Sequence, residues 1–291
     1  MKSRARYRAG LCVAVFLGVF ALEATAARAV PTLFIAGDST AARYSGTSSQ
    51  EGWAEPVAQL FDPARLRVVN AARGGRSSRT FITEGHWDKM LADVKAGDFV
   101  IIQFGHNDEG ALNQEPPGSS KPLRARGTIP GIGDEYAEID NVVTGKHETV
   151  YTFGHYLRHM IAGTRAKGAT PILLTLTERN LWKNGQVDCA SWETYRAWTW
   201  RTAQNEKVAF VDLTRIVADR YQREGADAVK QQFGNDTVHT NLAGAQANAR
   251  DVVAGLRSLP GLDFSSKLSA TGRPIQAARG PSNSSVCPAL P

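Results

Sequence analysis

A serine that follows an apolar run is the first residue whose setting suggests chemistry. Ser39 belongs to Gly37-Asp38-Ser39-Thr40, directly after the apolar run Thr32 to Ala36. A buried parallel strand ending here would present Ser39 at the carboxyl edge of a sheet, where α/β proteins bind ligands. Glycine, aspartate and serine are also ordinary turn residues, so the motif taken alone more often marks a structural turn.

An aspartate and a histidine stand three positions apart, just before a helical pattern. A serine nucleophile needs a base, and the base needs an acceptor on its second nitrogen. In one turn, Asp236 can bind Nδ1 of His239 and leave Nε2 to face Ser39. The alternative is a helix start, with Thr240 or Asn241 as the cap and Asp236 favouring the positive helix end. The motif alone leaves both interpretations open.

A side-chain amide follows the apolar run Phe99 to Phe104. In Gly105-His106-Asn107-Asp108, the Asn107 amide is a candidate donor to a developing oxyanion, and Gly105 beside it leaves room for a substrate. His106 is a rival base, but a loop histidine with no assigned partner is more often structural. A metal site at His106 and Asp108 lacks a third and a fourth ligand.

A glycine-rich loop follows the apolar run Leu66 to Asn70. Its Gly74 and Gly75 can present bare backbone N–H groups, the other component of an oxyanion hole. The loop contains neither of the common glycine-rich phosphate-binding patterns. The alternative is a flexible turn with solvated arginines.

These motifs follow short apolar runs that alternate with helical patterns. The apolar runs, which predict strands, are Thr32 to Ala36, Leu66 to Asn70, Phe99 to Phe104, Pro171 to Leu176 and Val208 to Leu213. The helical patterns are Trp53 to Leu60, Trp87 to Val94, Phe153 to Ala166, Ala190 to Gln204, Thr214 to Glu224 and Leu242 to Leu256. Such alternation indicates parallel strands joined by crossover helices. We therefore expect an α/β protein, a three-layer α/β/α sandwich with a mainly parallel five-stranded sheet of the flavodoxin-like class.

Two stretches interrupt the alternation. Gly110 to Gly145 is rich in proline, glycine and polar residues and follows a strand end, so we expect a long functional loop lining the cleft. Phe264 to Pro291 shows little periodicity and is expected to form a surface strap or a frayed end. The sequence predicts one domain over residues 30–263 and a tail over residues 264–291.

Residues 1–29 have the composition of a secretory signal peptide. A basic start precedes the apolar run Leu11 to Leu22 and small residues, with cleavage expected after Ala29 or Ala26. The run is shorter than the roughly 18 apolar residues of a membrane span, although an uncleaved anchor is the alternative. The protein is therefore expected to be secreted or periplasmic, with no membrane partner after cleavage.

Charge and cysteine content narrow the function further. The signal segment holds five basic residues and one acidic residue, so its removal lowers the formal net charge from +6 to +2. This small charge gives no reason to expect a nucleic-acid partner, which would need a concentrated basic face. Cys12 lies in the signal segment. The sequence leaves undecided whether Cys189 and Cys287 form a disulfide. Neither has the neighbours of a zinc site, so no metal is expected.

Together, the four motifs resemble those of the GDSL/SGNH hydrolase family. The resemblance implies that Ser39 is the nucleophile of a triad with His239 and Asp236. It also implies an oxyanion hole formed by Ser39, Gly75 and Asn107. The implied reaction is a two-step acyl transfer on the SGNH hydrolase fold, with no cofactor.

The residues around these motifs are similar to the rhamnogalacturonan acetylesterase branch of the family. The resemblance to the family covers Pro31 to about Leu259. In this branch the oxyanion glycine directly precedes Arg-Ser, which favours Gly75 over Gly74. It implies an esterase that removes acetyl groups from pectic polysaccharide. The segment Gly110 to Gly145 exceeds the minimal pattern of the branch, so the exact substrate stays open.

The implied partner is an acetylated polysaccharide or oligosaccharide. Because the arginine fork matches a planar carboxylate, four arginines are candidate contacts for galacturonate: Arg76, Arg79, Arg124 and Arg126. The alternative for each of the four is a solvated surface side chain that does not contact the substrate.

Three other functions stay open on the sequence. The first alternative is another secreted SGNH esterase, which acts on acetylxylan, lipids or small esters. The second is an extracytoplasmic O-acetyltransferase, and the third is a non-catalytic glycan-binding module. A lipase would present an exposed apolar patch around its cleft, and the polar loops do not indicate one. A binding module has no need of a triad.

Overall fold

The computed structural model describes residues 29–46, 48–114, 123–189, 193–282 and 285–290. The predicted signal segment up to residue 28, including Cys12, lies outside these residues. Within the part of the chain that is described, no helix is long and apolar enough to cross a membrane.

Five parallel strands form the central sheet, and two short hairpins lie outside it. The strands are, in chain order, β1 (Thr32–Gly37), β2 (Arg67–Asn70), β3 (Phe99–Gln103), β4 (Tyr136–Asp140), β5 (His147–Tyr151), β6 (Thr170–Leu174), β7 (Trp182–Lys183), β8 (Gln186–Val187) and β9 (Ala209–Val211). The sheet order is β2-β1-β3-β6-β9, while β4 pairs with β5 and β7 with β8 in antiparallel hairpins.

Helices cover both faces of the sheet. They are α1 (Ala54–Leu60), α2 (Ser78–Thr83), α3 (His86–Leu91), α4 (Phe153–Ala166), α5 (Glu193–Glu206), α6 (Leu213–Glu224), α7 (Ala226–Lys230) and α8 (Leu242–Arg257). Leu33 and Ile35 of β1 belong to one buried cluster with α1, α6 and α8. Phe34 and Ala36 belong to a second cluster with residues of α2, α3, α4 and α5. The predicted three-layer α/β/α fold is confirmed.

The register of the sheet places two site loops side by side. In the pairing of β1 with β3, Gly37 lies opposite Gln103, so the strands end level with each other. Ser39 and Asn107 follow these ends after two and four residues. Loops at the carboxyl ends of neighbouring parallel strands meet at one edge of the sheet, which is where such folds bind ligands.

The long segment predicted as a loop contains regular structure. Residues 115–122 are not described, but Tyr136–Asp140 is strand β4, which pairs with β5 just beyond Gly145. The expectation of a loop over all of Gly110 to Gly145 is therefore wrong for its last third. The helices α2 and α7 were not expected from the periodicity, because each is too short to show a repeating apolar face.

The described part of the tail packs against the domain. Phe264 is buried, with ring centroids 6.2 Å from Phe61 and 4.9 Å from Phe99. Farther along, Cys287 forms a disulfide with Cys189, with their Cα atoms 5.4 Å apart. The structure thus contains the disulfide that the sequence left undecided. The described part of the tail forms a strap on the domain.

Candidate active site

Ser39 lies in a tight turn at the carboxyl end of β1. The carbonyl of Asp38 accepts the N–H groups of Ala41 and Ala42 at 3.3 and 3.1 Å. The side chain of Asp38 accepts the N–H and the hydroxyl of Thr40, both at 2.8 Å. Burial raises the pKa of Asp38 to about 6. These bonds fix the backbone on both sides of Ser39, which is itself largely buried.

The structure brings His239 and Asp236 to Ser39. His239 Nε2 lies 3.0 Å from Ser39 Oγ, and His239 Nδ1 lies 2.8 Å from Asp236 Oδ2. The two nitrogens of one imidazole therefore join the hydroxyl and the carboxylate in a single hydrogen-bonded chain. A neutral imidazole protonated at Nδ1 donates to the carboxylate and accepts from the hydroxyl.

The turn that carries Asp236 is closed by the same carboxylate. Asp236 Oδ1 accepts the backbone N–H groups of Val238 at 2.8 Å and His239 at 2.7 Å. Burial alone would raise the pKa of Asp236, but these bonds and the imidazole lower it below its ordinary value. Asn241 caps α8 by accepting the N–H of Gly244. Asn241 is therefore the helix cap, and Asp236 binds His239 instead of capping the helix.

Candidate oxyanion donors lie on two loops beside the serine. Asn107 Nδ2 donates to the carbonyl of Arg76 at 3.0 Å, which orients the amide and leaves it a second N–H. Gly75 has a φ of +76°, and a Cβ on Gly74 would lie 4.0 Å from the Ser39 Cβ. The backbone N–H groups of Ser39, Gly74 and Gly75 bind no other described residue. The choice of Gly75 over Gly74 stays a prediction.

A buried carboxylate joins these two loops. Asp108 accepts the backbone N–H of Ser78 at 3.0 Å and also its hydroxyl, at the first residue of α2. Ser77 caps the same helix with its hydroxyl. Burial raises the pKa of Asp108 to about 7. The loop that carries Gly75 is thereby held against the loop that carries Asn107.

Of the two residues before Asn107, His106 has the structural surroundings that were expected, whereas Gly105 differs from expectation. His106 is buried, its Nε2 lies 3.3 Å from Thr177 Oγ1, and burial lowers its pKa to about 3. Gly105 does not make room for a substrate, because a Cβ there would lie 2.2 Å from Leu176 Cδ2. That expectation is wrong: Gly105, with a φ of +145°, is needed for close packing.

Arg79 is not available to a substrate. Its side chain is fully buried, and Nε and Nη2 donate to the two carboxylate oxygens of Glu148, each at 2.7 Å. Its Nη1 donates to the carbonyls of Leu112 and Gly127 at 2.8 and 2.9 Å. The expectation that Arg79 contacts galacturonate is therefore wrong, since every nitrogen is used to join α2 to β5 and the neighbouring loop.

The other three predicted arginines lie on one surface. Arg76, Arg124 and Arg126 line a cleft of about 520 Å³ that begins at Gly75. Arg76 Nε donates to Glu84 at 2.8 Å. The cleft adjoins the candidate oxyanion hole, which is consistent with a role in substrate binding. Contact between these arginines and a substrate stays a prediction.

Two residues beside the site were missed by sequence reasoning. The Tyr44 hydroxyl donates to the carbonyl of Ser39 at 3.0 Å, and burial raises the pKa of Tyr44 to about 12, so the hydroxyl keeps its proton. Gln50 Nε2 lies 3.4 Å from Asp236 Oδ2. Gln50 carries no sequence signal because its partner lies 186 residues away. Tyr44 is only five residues from Ser39, but a single tyrosine in a loop forms no recognisable motif.

One group of possible metal ligands occurs among the described residues. Glu178, Cys189 and Cys287 have ligand atoms within 4.8 Å of one another. Both sulfurs are joined in the disulfide, so the group offers no thiolate for a metal ion.

Known proteins with similar sequence and structure identify the family. Residues 35–247 match the model of the GDSL-like lipase/acylhydrolase family. Rhamnogalacturonan acetylesterase of Emericella nidulans is 34% identical over 218 residues, covering 75% of this chain and 81% of that protein. The probable rhamnogalacturonan acetylesterase YesY of Bacillus subtilis is 29% identical over 232 residues, covering 78% and 93%.

A solved structure agrees with this assignment. The crystal structure of protein YxiM from Bacillus subtilis has a TM-score of 0.61 and 27% identity, covering 78% of this chain and 56% of that one. The family predicted from the four motifs is confirmed by these matches. The chain belongs to the GDSL-like lipase/acylhydrolase family and is a carboxylic ester hydrolase.

Proposed function

We propose that this protein is a secreted serine esterase that removes acetyl groups from plant cell-wall polysaccharide, in particular rhamnogalacturonan. The observation that carries the proposal is the hydrogen-bonded chain from Ser39 through His239 to Asp236, with distances of 3.0 and 2.8 Å. An imidazole so placed removes the serine proton as the oxygen attacks an acyl carbonyl.

The first half of the reaction transfers the acetyl group to the enzyme. Ser39 Oγ attacks the acetyl carbonyl carbon while its proton passes to His239 Nε2, and Asp236 stabilises the imidazolium. The N–H groups of Ser39 and Gly75 and the amide of Asn107 donate to the oxyanion. When the tetrahedral intermediate collapses, His239 returns the proton to the departing sugar oxygen, and the acetyl group stays on Ser39.

The second half releases acetate. A water molecule takes the place of the sugar, His239 removes its proton, and the water oxygen attacks the acetyl carbonyl. The same donors stabilise the second oxyanion. Collapse breaks the bond to Ser39 Oγ, which regains its proton from His239. The chain's own residues carry out every proton transfer in both halves.

The substrate class rests on the relatives and on the cleft. Two curated relatives are named rhamnogalacturonan acetylesterase or probable rhamnogalacturonan acetylesterase. Most side chains lining the cleft beside Gly75 are polar or charged, which suits a carbohydrate better than the acyl chain of a lipid.

Export is part of the proposal. The basic start and apolar run of residues 1–29 have the pattern of a cleaved signal. The disulfide between Cys189 and Cys287 supports an oxidising compartment, because reducing compartments keep such thiols free.

The test measures acetate release by residues 30–291 with and without Ser39→Ala. Substrates are acetylated rhamnogalacturonan, acetylated xylan and p-nitrophenyl esters of increasing chain length. We expect the substitution to lower kcat about 10³-fold or more on every substrate. Ser49→Ala, which alters an exposed serine in the 48–50 loop, is the matched control and should keep full activity.

The outcomes separate the parts of the proposal. Full activity in Ser39→Ala would contradict the nucleophile. Release of acetate from xylan but not from rhamnogalacturonan would contradict the substrate class. Transfer of acetyl groups to a sugar acceptor without net acetate release would identify an acetyltransferase instead.

A further inference from the structure

The glycine-rich loop after β2 contains a tight turn whose middle peptide has two accessible directions. The carbonyl of Arg73 accepts the N–H of Arg76 at 3.3 Å, so residues 73–76 form a β-turn. Gly75, the third residue of the turn, has a φ of +76°, whereas Gly74 does not have a positive φ. This combination defines a type II turn. A type I turn differs mainly by a flip of the peptide that joins Gly74 to Gly75.

The direction of this peptide decides where one candidate oxyanion donor points. The carbonyl of Gly74 and the N–H of Gly75 belong to the same planar trans peptide, so they point in opposite directions. A flip to the type I turn would aim the N–H of Gly75 elsewhere and remove it from the oxyanion hole. Because glycine at both central positions tolerates either turn, another contact must fix the peptide.

The side chain of Arg76 binds the opposite end of that peptide. Its Nη1 donates to the carbonyl of Gly74 at 3.1 Å. A charged donor makes a stronger hydrogen bond than a neutral one. It also polarises the peptide, which makes the N–H on the other side a better donor. The guanidinium therefore fixes the direction of the Gly75 N–H and increases its capacity to stabilise an oxyanion.

The guanidinium is itself anchored to the helix that follows. Arg76 Nε donates to Glu84 Oε2 at 2.8 Å, and the same oxygen lies 3.2 Å from His86 Nε2. Arg76 directly precedes Ser77, the N-cap of α2, while Glu84 is the C-cap of that helix. The ion pair thus spans α2, whose first residue is held by Asp108. A short helix fixed at its start therefore sets the position of the guanidinium.

The backbone of Arg76 contacts the second candidate donor. Its carbonyl accepts Nδ2 of Asn107 at 3.0 Å. One residue thus orients both donors, the Gly75 N–H through its side chain and the Asn107 amide through its main chain. Substitution separates the two contacts, because a change of the side chain leaves the carbonyl in place.

We infer, on the basis of the proposed function, that Arg76 is a positioning residue for the oxyanion hole and that Glu84 supports it. Arg76 acts through the peptide between Gly74 and Gly75 rather than on the reacting atoms. Every ester hydrolysed at Ser39 forms an oxyanion, so this role extends to esters without a sugar. An arginine that only contacted the polysaccharide would have no effect on such esters.

The first experiment uses p-nitrophenyl acetate, which carries neither a sugar nor a carboxylate. We expect Arg76→Gln to lower kcat about tenfold with little change in KM, a smaller effect than the loss of about 10²- to 10³-fold for a missing donor. Arg76→Lys should recover part of this loss, because an ammonium can reach the Gly74 carbonyl but lacks the fork that also binds Glu84. Glu84→Gln should lower kcat about two- to threefold.

Arg73→Gln is the matched control, since it removes an exposed cation from the first position of the same turn. It keeps the carbonyl that accepts the N–H of Arg76 and should retain full kcat. The urea midpoint of Arg76→Gln should stay close to that of the unsubstituted protein. The side chains of Arg76 and Glu84 are each 41% exposed, and ion pairs so exposed contribute little stability.

The second experiment observes the peptide without turnover. Protein labelled with ¹⁵N-glycine gives an amide signal for Gly75, whose ¹⁵N shift responds to the hydrogen bond at the preceding carbonyl. We expect Arg76→Gln to move this signal and Arg73→Gln to move it much less. The signal of Gly255, buried in α8, should stay in place in both variants.

The outcomes keep the role of Arg76 apart from the esterase function. Unchanged kcat of Arg76→Gln on p-nitrophenyl acetate, or an equal loss in Arg73→Gln, would overturn the positioning role and leave the triad standing. An unmoved Gly75 signal would also overturn it. If the signal moves while Ser39→Ala keeps full esterase activity, the proposed function is contradicted and the control of the peptide by Arg76 is supported.

Discussion

Glu178 is a buried acid outside the triad whose ionisation should make stability depend on pH. It follows β6, is 1% exposed, and accepts the N–H of Arg179 at 2.8 Å through Oε1. Its Oε2 has no hydrogen-bond partner among the described residues. Burial raises the pKa of Glu178 from 4.5 to about 8. The folded protein therefore holds a proton that the unfolded chain releases.

The size and sign of the effect follow from proton linkage. A raised carboxyl pKa contributes stability that is complete below pH 4.5 and is lost as pH rises through about 8. The slope is about 1.4 kcal/mol per pH unit within that window. Asp38 and Asp108, with pKa values of about 6 and 7, also lose their stabilising contribution as pH rises, but that loss is complete at a lower pH. Between pH 7 and 8, Glu178 is the dominant group of the three.

Glu178→Gln removes the titration while keeping the shape of the side chain. The free energy of unfolding is measured by urea denaturation at pH 6, 7 and 8, with the disulfide intact. From pH 6 to 8 we expect the unsubstituted protein to lose about 2 kcal/mol more than the variant. Glu135→Gln, which replaces an exposed carboxylate, is the control and should follow the unsubstituted protein. Parallel pH profiles for Glu178→Gln and the unsubstituted protein would refute the reasoning.

Two further predictions concern the triad and the buried ion pair. Asp236→Asn should lower kcat about 10³- to 10⁴-fold, because the amide no longer holds His239 in the required tautomer; a loss below tenfold in steady-state assays would contradict the role of the carboxylate. Arg79→Met should destabilise the fold by about 3 kcal/mol, since it leaves the Glu148 carboxylate without its positive partner and with only the Asn141 amide as a side-chain donor among the described residues, whereas adding Glu148→Met should recover much of that loss. Urea denaturation of both variants checks this, and equal stability of the single and double variants would count against it.

The sequence predicted the central sheet and the edge that carries the site, because each buried parallel strand is a continuous apolar run. It did not predict the hairpin, since Tyr136–Asp140 alternates exposed and half-buried residues within a glycine-rich stretch. The local sequence pattern also could not predict that Arg79 is buried. Its partner Glu148 is 69 residues away, so the sequence around Arg79 is that of a solvated loop.

The precise approach of the imidazole depends on contacts that residue types do not reveal. The loop of His239 is held on one side by Glu51, whose N–H donates to the carbonyl of Thr240 at 2.8 Å. On the other side, the N–H of Asn180 donates to the carbonyl of Thr237 at 2.9 Å. Backbone groups make both bonds, so almost any residue at these positions would serve.

The same segment also braces the nucleophile. The N–H of Trp53 donates to the carbonyl of Thr40 at 3.0 Å, two residues beyond the point where Glu51 supports the histidine loop. Ser39 and His239, 200 positions apart, are therefore both tied to one short stretch of chain. Because that stretch fixes both backbones, the 3.0 Å contact between hydroxyl and imidazole follows from main-chain geometry rather than from the attraction of the two side chains for each other.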